Sequence, residues 1–231
     1  NSFPSFDLLL SDECKQALDV EPYEYCSGDI VYSPSDNSLD DLVFTNVGIR
    51  LKGRASFRSL NEKPAFKIKF DEYVKGQRML GLRRLTLNNM VQDPAMARER
   101  MGYWIFREAG LEAPMCNHAK VYLNGEYLGL YANIQTLDDV FVEDIFDDAP
   151  GNLYDTNNEE YFVDFLPRWF EHFELETNND LSDKSDLTAL IEAVAKPNDT
   201  FFKDVGQVLD WDQFLKVGAA QAMIADWDGY F

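Results

Sequence analysis

Residues 43–57 read VFTNVGIRLKGRASF, and residues 62–70 read EKPAFKIKF. Side chains along an extended chain alternate between its two faces. In the first stretch Val43, Thr45, Val47, Ile49 and Leu51 fall on one face, and Asn46, Gly48, Arg50 and Lys52 on the other. In the second, Phe66, Ile68 and Phe70 alternate with Lys67 and Lys69. Two neighbouring strands, apolar on one side and cationic on the other, are expected, with residues 53–61 as the loop between them. The cations stand out because the chain as a whole is acidic: 41 Asp and Glu against 21 Lys and Arg, a formal net charge of -20. Such a face suits an anionic ligand such as a nucleotide phosphate. It equally suits a solvated edge strand whose lysines discourage aggregation.

Working outward, residues 82–87 read as another strand ending in Asn88-Asn89. Asp93-Pro94 then looks like a helix start, with Asp as N-cap and Pro at the first helical position. That helix should run to about Glu108 on an apolar stripe of Ala97, Met101, Trp104 and Ile105, and Gly110 should end it. Asn124-Gly125, between the alternating stretches 119–123 and 128–130, predicts a tight hairpin, since both turn residues tolerate positive φ. Upstream, residues 3–10 read as extended, 11–18 as a short helix capped by Ser11, and 29–32 as a strand. Downstream the character turns helical: a helix capped by Asp138 or Asp139, a packed loop at 167–170, a helix over 185–195, and a helix capped by Asp210 that runs through Ala225. The fold class expected is α+β in two lobes: residues 1–135 strand-rich with one long helix, and residues 136–231 helical.

Composition and motifs exclude several functions. Net acidity argues against nucleic acid as a partner, and no segment approaches the ~20 apolar residues of a membrane span. There is no GxxxxGK[ST] or GxGxxG phosphate loop, no HRD or DFG triplet, no GxSxG and no HExxH. The three cysteines, Cys14, Cys26 and Cys116, lack metal-ligand spacing. Cys14 and Cys26 are either a disulfide of an exported protein or two buried thiols. His118 and His172 read as ordinary strand or surface residues.

What remains is a set of cations and a set of carboxylates. The cations are Arg50, Lys52, Arg54, Arg58, Lys63, Lys67 and Lys69, beside a loop whose backbone N–H groups and Ser56 and Ser59 hydroxyls could face phosphate. Lys67 and Lys69 are read as surface. The carboxylates are Asp226 and Asp228. Hard oxygen ligands of this kind suit Mg2+, and an aspartate can accept the proton of an incoming hydroxyl. Tyr131, Tyr154 and Trp227 are candidate rings for stacking on adenine. Asn88, Asn89, Asp93, Arg98 and Glu99 read as capping plus an internal Arg–carboxylate pair.

GIRLKGRASFRS, EKPAFKIKF, LTLNNMVQDPAMARE, VYLNGEYLGLY and GNLYD, taken in that order, resemble the CotH family, the spore-coat-type atypical protein kinases. The resemblance covers nearly the whole chain. It implies a two-lobed, kinase-like fold with an incomplete helical C-terminal lobe, and transfer of the γ-phosphoryl group of ATP to Ser or Thr of protein substrates with Mg2+. In that reading Lys63 and Arg50 hold phosphates, Ser56 lies in the phosphate loop, and Asp228 is the base or metal ligand with Asp226 as its substitute. Gln135 stands where the family carries a Glu, which removes a charge partner for Lys63. The family pattern also continues beyond WDGY with an Asn and a strand bearing a metal-binding Asp, so the remaining ligand is expected past Phe231. The alternative is a non-catalytic surface, coat or adhesion module that binds a protein partner. Either way the resemblance implies a secreted, cell-surface or spore-associated protein.

Overall fold

The structure is a computed structural model and describes residues 3–36, 40–146, 151–156, 163–196, 198–226 and 229. The chain divides into two compact units, Asn1–Trp104 with Ala113–Thr136, and Ile105–Glu112 with Leu137–Phe231.

The first unit is a closed seven-stranded barrel. Its strands are β1 (Ser5–Leu9), β2 (Cys26–Ser33), β3 (Leu42–Lys52), β4 (Ala65–Lys69), β5 (Arg84–Asn88), β6 (Cys116–Leu123) and β7 (Glu126–Gln135), in the order β1-β2-β3-β4-β5-β7-β6. Every pairing is antiparallel except the one that closes the ring, where β1 runs parallel to β6 with Phe6 opposite Val121. Closure leaves no open sheet edge to template aggregation. The quoted stretch explains the interior. Ile49, Ile68 and Leu85 form one cross-strand row, and Leu51, Phe66 and Leu87 the next, all buried together with Phe6, Leu8, Ile30, Val121 and Tyr131. Full burial of each such side chain contributes about 1.5–3 kcal/mol.

The expected two-lobed, kinase-like α+β fold with a helical C-terminal lobe is therefore corrected: the strands close on themselves as a barrel. The physical reason is the N-terminal strand. β1 hydrogen-bonds β2 on one side and β6 on the other, so a sheet that would otherwise be open becomes a ring.

The alternation read across residues 43–51 also breaks. Asn46 adopts φ 53°, and the β2–β3 register shifts between Gly28 and Ile30. This is a bulge, held by the Asn46 N–H donating to Asp29 Oδ1 at 2.9 Å. It resets the phase, so Phe44 packs on the core while Val43 is 60% exposed.

Helix α1 (Asp12–Val20) is capped by Ser11, whose side chain accepts from Cys14 N, and Cys14 is joined to Cys26 by a disulfide. Helix α2 (Arg98–Glu108) begins later than Asp93-Pro94 suggested. Its expected apolar stripe is not buried: Met101 is 56% and Trp104 53% exposed. The Asn124-Gly125 turn has φ of 50° and 81° at its two residues, as the hairpin requires. Asn124 also ties the turn to Leu10 through both backbone groups of that residue.

The second unit holds helix α3 (Asp139–Ile145), the two-stranded sheet of β8 (Tyr154–Thr156) and β9 (Phe173–Leu175), and helices α4 (Ser185–Val194), α5 (Phe201–Val205) and α6 (Trp211–Ile224). The expected packed loop at 167–170 is a 3-10 turn, Pro167–His172. Phe173, Leu187 and Ile191 form a small core with Phe165, Trp169 and Phe170 against it. Asp138 and Asp210 cap α3 and α6 through their side chains. Among the described residues no helix is long and apolar enough to cross a membrane.

Candidate phosphate-facing site on the barrel

Residues that alternate with the two buried rows face out. Arg50 stands opposite Lys67, and Lys67 opposite Thr86. The Arg50 guanidinium lies 5.3 Å from the centre of the Tyr25 ring, a cation–π contact, and its Nη1 donates to the Leu51 carbonyl at 3.4 Å. Lys69 lies over the same ring at 5.9 Å and pairs with Glu72 at 2.5 Å.

The loop from β3 to β4 begins at Gly53, whose φ of 107° suits glycine. A Cβ there would meet Ser56 Oγ at 2.8 Å and Phe57 N at 3.1 Å. Tyr23 Oη donates to the Gly53 carbonyl at 2.9 Å. The buried Asn89 amide donates to the carbonyls of Ser56 at 3.1 Å and Lys63 at 2.8 Å. Loop and lysine are thus fixed from the end of β5.

Lys63 runs along the barrel wall. Its Nζ donates to the Leu130 carbonyl at 2.8 Å and sits 4.9 Å from the centre of the Tyr131 ring. Gly129, at φ 134°, makes room for it: a Cβ there would lie 3.1 Å from Lys63 Cε. Burial lowers the Lys63 pKa. The carbonyl is a neutral partner and takes one of the amine's three donors, while the charge lies against the face of the Tyr131 ring.

Gln135 is placed elsewhere. Its Oε1 accepts from Met115 N at 3.2 Å, and its N–H donates to the Met115 carbonyl at 2.9 Å. Leu130 and Gln135 lie on one strand, and five residues of strand span roughly 16 Å, so Lys63 and Gln135 are not brought together. Tyr131 is fully buried inside the barrel, so its ring cannot serve as an adenine platform. Tyr154 packs in the second unit's core, and its Oη donates to Asp186 Oδ1 at 2.5 Å.

Asp226 belongs to the second unit. It follows Ala225, the left-handed residue that ends α6, and its Oδ2 accepts from Gln221 Nε2 at 3.4 Å. Asp228 and Trp227 lie outside the described residues. Among the described residues no group of three or more His, Cys, Asp or Glu could hold a metal ion. The barrel's cations and pinned loop have the charge and donors that phosphate oxygens would take, and of the two carboxylates read as magnesium ligands only Asp226 is among the described residues.

A second polar cluster was not expected from the sequence. Lys52 Nζ donates to Asn88 Oδ1, and Asn88 Nδ2 donates to Glu99 Oε1 at 3.0 Å. Lys52 reaches over Ala65, its partner on β4, and that small residue leaves the path clear to β5. Burial pushes the Lys52 amine down to about 8, with Lys67 and Arg50 adding to the effect and Glu99 opposing it. Burial pushes Glu99 up, against its bond from Asn88 and the charge of Lys52. Tyr103, also on α2, is pushed up to about 12 by burial and then by Glu99. The signal in the sequence was the register: alternation through 49–52 and 65–68 puts Lys52 beside Ala65. The Arg–carboxylate pair expected in this block is Arg98 with Asp93, at 3.7 Å.

The chain is 27% identical over 168 residues to "Spore coat protein homolog 1" of Rhizopus delemar, a match covering 68% of this chain and 27% of that protein. It is 25% identical to "Invasin CotH7" of the same organism, over 63% of this chain and 25% of the relative. It is 32% identical over 78 residues to the "Inner spore coat protein H-like protein" of Bacillus subtilis, over 34% of this chain and 24% of the relative. The chain thus spans about a quarter of the length of the curated relatives it matches. A family model described as "CotH kinase protein" matches residues 49–231, which takes in the last residues of β3, the pinned loop and everything that follows, and on that match the chain belongs to the CotH family.

Proposed function

We propose that the chain is part of a CotH-type enzyme that transfers the γ-phosphoryl group of ATP to hydroxyls of Ser or Thr in a protein. The observation that carries this reading is the Asn89 clamp, which fixes the Ser56 loop and Lys63 together at the end of β5. Phosphoryl transfer asks a protein for positioning and for positive charge on the phosphates. Lys63 would supply a charge on a fixed stem, Arg50 a second positive charge, and the loop after Gly53 its N–H groups and the Ser56 hydroxyl. Mg2+, when bound, would offset phosphate charge. Asp228, with Asp226 as its substitute, is the carboxylate assigned to the acceptor hydroxyl by family resemblance.

The test is calorimetric titration of ATP with Mg2+ into this chain and into a form extended past Phe231. Lys63→Ala should weaken binding, and Asp228→Ala should abolish turnover with little change in affinity. If neither form takes up ATP, the reading fails.

A second reading is favoured by two observations. The relatives carry the names of spore coat proteins and an invasin, and Gln135 is engaged with the Met115 backbone instead of Lys63. In that reading the chain is a non-catalytic coat or surface module that binds a protein partner, and it associates with a spore or cell surface. Binding of ATP without transfer to any protein acceptor would select it.

A further inference from the structure

Lys52, Asn88 and Glu99 hold a set of groups that the phosphate-facing site does not use. An amine, a carboxamide and a carboxyl group are lined up in that order. Strands β3 and β5 are separated by β4, and across its small Ala65 the amine meets the amide. Glu99 enters from the first turn of α2. One of its oxygens touches the amide nitrogen, and the other, Oε2, is buried with no hydrogen-bond partner among the described residues.

We propose that Lys52 and Asn88 condense into an intramolecular isopeptide bond, with Glu99 carrying the proton. Lys52 Nζ attacks Asn88 Cγ, so a C–N bond forms and the oxygen takes the electron pair. Protonated Glu99 gives its proton to Asn88 Nδ2, the nitrogen it already touches. The Cγ–Nδ2 bond breaks as the carbonyl re-forms, one molecule of ammonia leaves, and the Glu99 carboxylate takes up the proton that the attacking nitrogen then sheds. Nothing is oxidised or reduced, and no co-reactant is needed.

Each step matches a feature of the site. An amine is a nucleophile only when neutral, and burial favours neutral Lys52. Burial also favours protonated Glu99, the form that can donate to a leaving nitrogen. That nitrogen is the one Glu99 already touches, at 3.0 Å. Holding the three groups in one packed place replaces a bimolecular encounter with a unimolecular step. The product ties β3 to β5 across the barrel wall, a covalent strap in addition to the disulfide at Cys14–Cys26.

Mass spectrometry of the purified, thiol-reduced and unfolded chain decides this. The expected result is a mass about 17 Da, one ammonia, below that of the sequence. A branched tryptic peptide should join the segments around Lys52 and Asn88. Glu99→Gln and Lys52→Met should each show the full mass of their own sequence. If Glu99→Gln does not fold, the mass and peptide map of the unaltered chain decide alone. Any measurable fraction of chains with the loss mapped to that branched peptide supports the proposal. A sample in which every chain keeps the sequence mass, with Lys52 open to amine-directed labelling after unfolding, overturns it.

Discussion

Asn89 Nδ2 donates to the Lys63 carbonyl at 2.8 Å, which makes the end of β5 the anchor of the lysine that precedes β4. The same nitrogen also holds the Ser56 carbonyl at 3.1 Å, and the Asn89 side chain is buried. Asn89→Ala leaves two carbonyls without this donor, at about 1–3 kcal/mol for a buried group left unsatisfied. The expected outcome is a fall in unfolding free energy of that size, read from urea denaturation, and faster tryptic cleavage at Arg54 and Arg58. An unchanged midpoint with unchanged cleavage would mean that the loop is held by something else.

Gly129 gives a second handle on Lys63. Its φ of 134° is costly for any side chain, and a Cβ would press on Lys63 Cε at 3.1 Å. Gly129→Ala should therefore destabilise the barrel by about 1–2 kcal/mol, and should weaken ATP binding if Lys63 holds phosphates. Retained affinity in a folded Gly129→Ala protein would remove Lys63 from the phosphate site.

Tyr131 is fully buried in the barrel interior, and its hydroxyl has no hydrogen-bond partner among the described residues. Burial accordingly raises its pKa. Tyr131→Phe removes an unsatisfied polar atom and keeps the ring, so stability should hold or rise by up to about 1 kcal/mol. Tyr131→Ala should cost about 3–5 kcal/mol. A marked loss in Tyr131→Phe, read by thermal unfolding, would reveal a buried partner such as an internal water.

The sequence made some of this legible and concealed the rest for identifiable reasons. Alternation located β3 and β4, and Asn124-Gly125 located the β6–β7 turn, because both are local signals. Barrel closure was hidden because it depends on β1 pairing with a strand more than a hundred residues away, and nothing in SFDLL says which strand it will meet. The phase reset at Asn46 was hidden because Val43, Thr45 and Val47 alternate without a break in the letters, while the backbone turns left-handed between them. Hydrophobic spacing in α2 misled, since Met101 and Trp104 remain exposed. Of the candidate site, Arg50, Ser56 and Lys63 stand out in the sequence as cations and a glycine-led loop. The Asn89 clamp and the Lys52–Asn88–Glu99 cluster depend on pairing between strands and a following helix, which no spacing rule reports.

The Cys14–Cys26 disulfide ties α1 to β2 across twelve positions of chain. A loop of that order contributes about 3 kcal/mol in the chain-entropy account. Reducing agent should lower the urea midpoint accordingly, and Cys14→Ser with Cys26→Ser should show the lowered midpoint with or without reductant. Equal midpoints for the oxidised and reduced chain would show that α1 docks without the bond. Persistence of the disulfide in the native source would fit an oxidising compartment.

Asp93 supplies the acid-sensitive element. Burial acts to raise its pKa, but the backbone N–H groups of Arg98, Ala97 and Ala95 and the charge of Arg98 outweigh it, and the net shift is downward. The two shortest of these bonds, from Ala97 and Arg98 at 2.7 Å each, hold the start of α2. The folded carboxyl therefore has a lower pKa than the unfolded one, near 3.9 for an ordinary Asp. Its contribution is fully present above about pH 4 and is lost as pH falls through the folded value. Asp93→Asn keeps one acceptor oxygen and forfeits the charge. It should cost about 1–2 kcal/mol at neutral pH and nothing further in acid, so the two stability–pH curves should converge as the solution is acidified. Parallel curves down to pH 2 would place the acid sensitivity elsewhere, with Asp71, held low by Arg78 and Arg83 against its own burial, as the next carboxylate to replace.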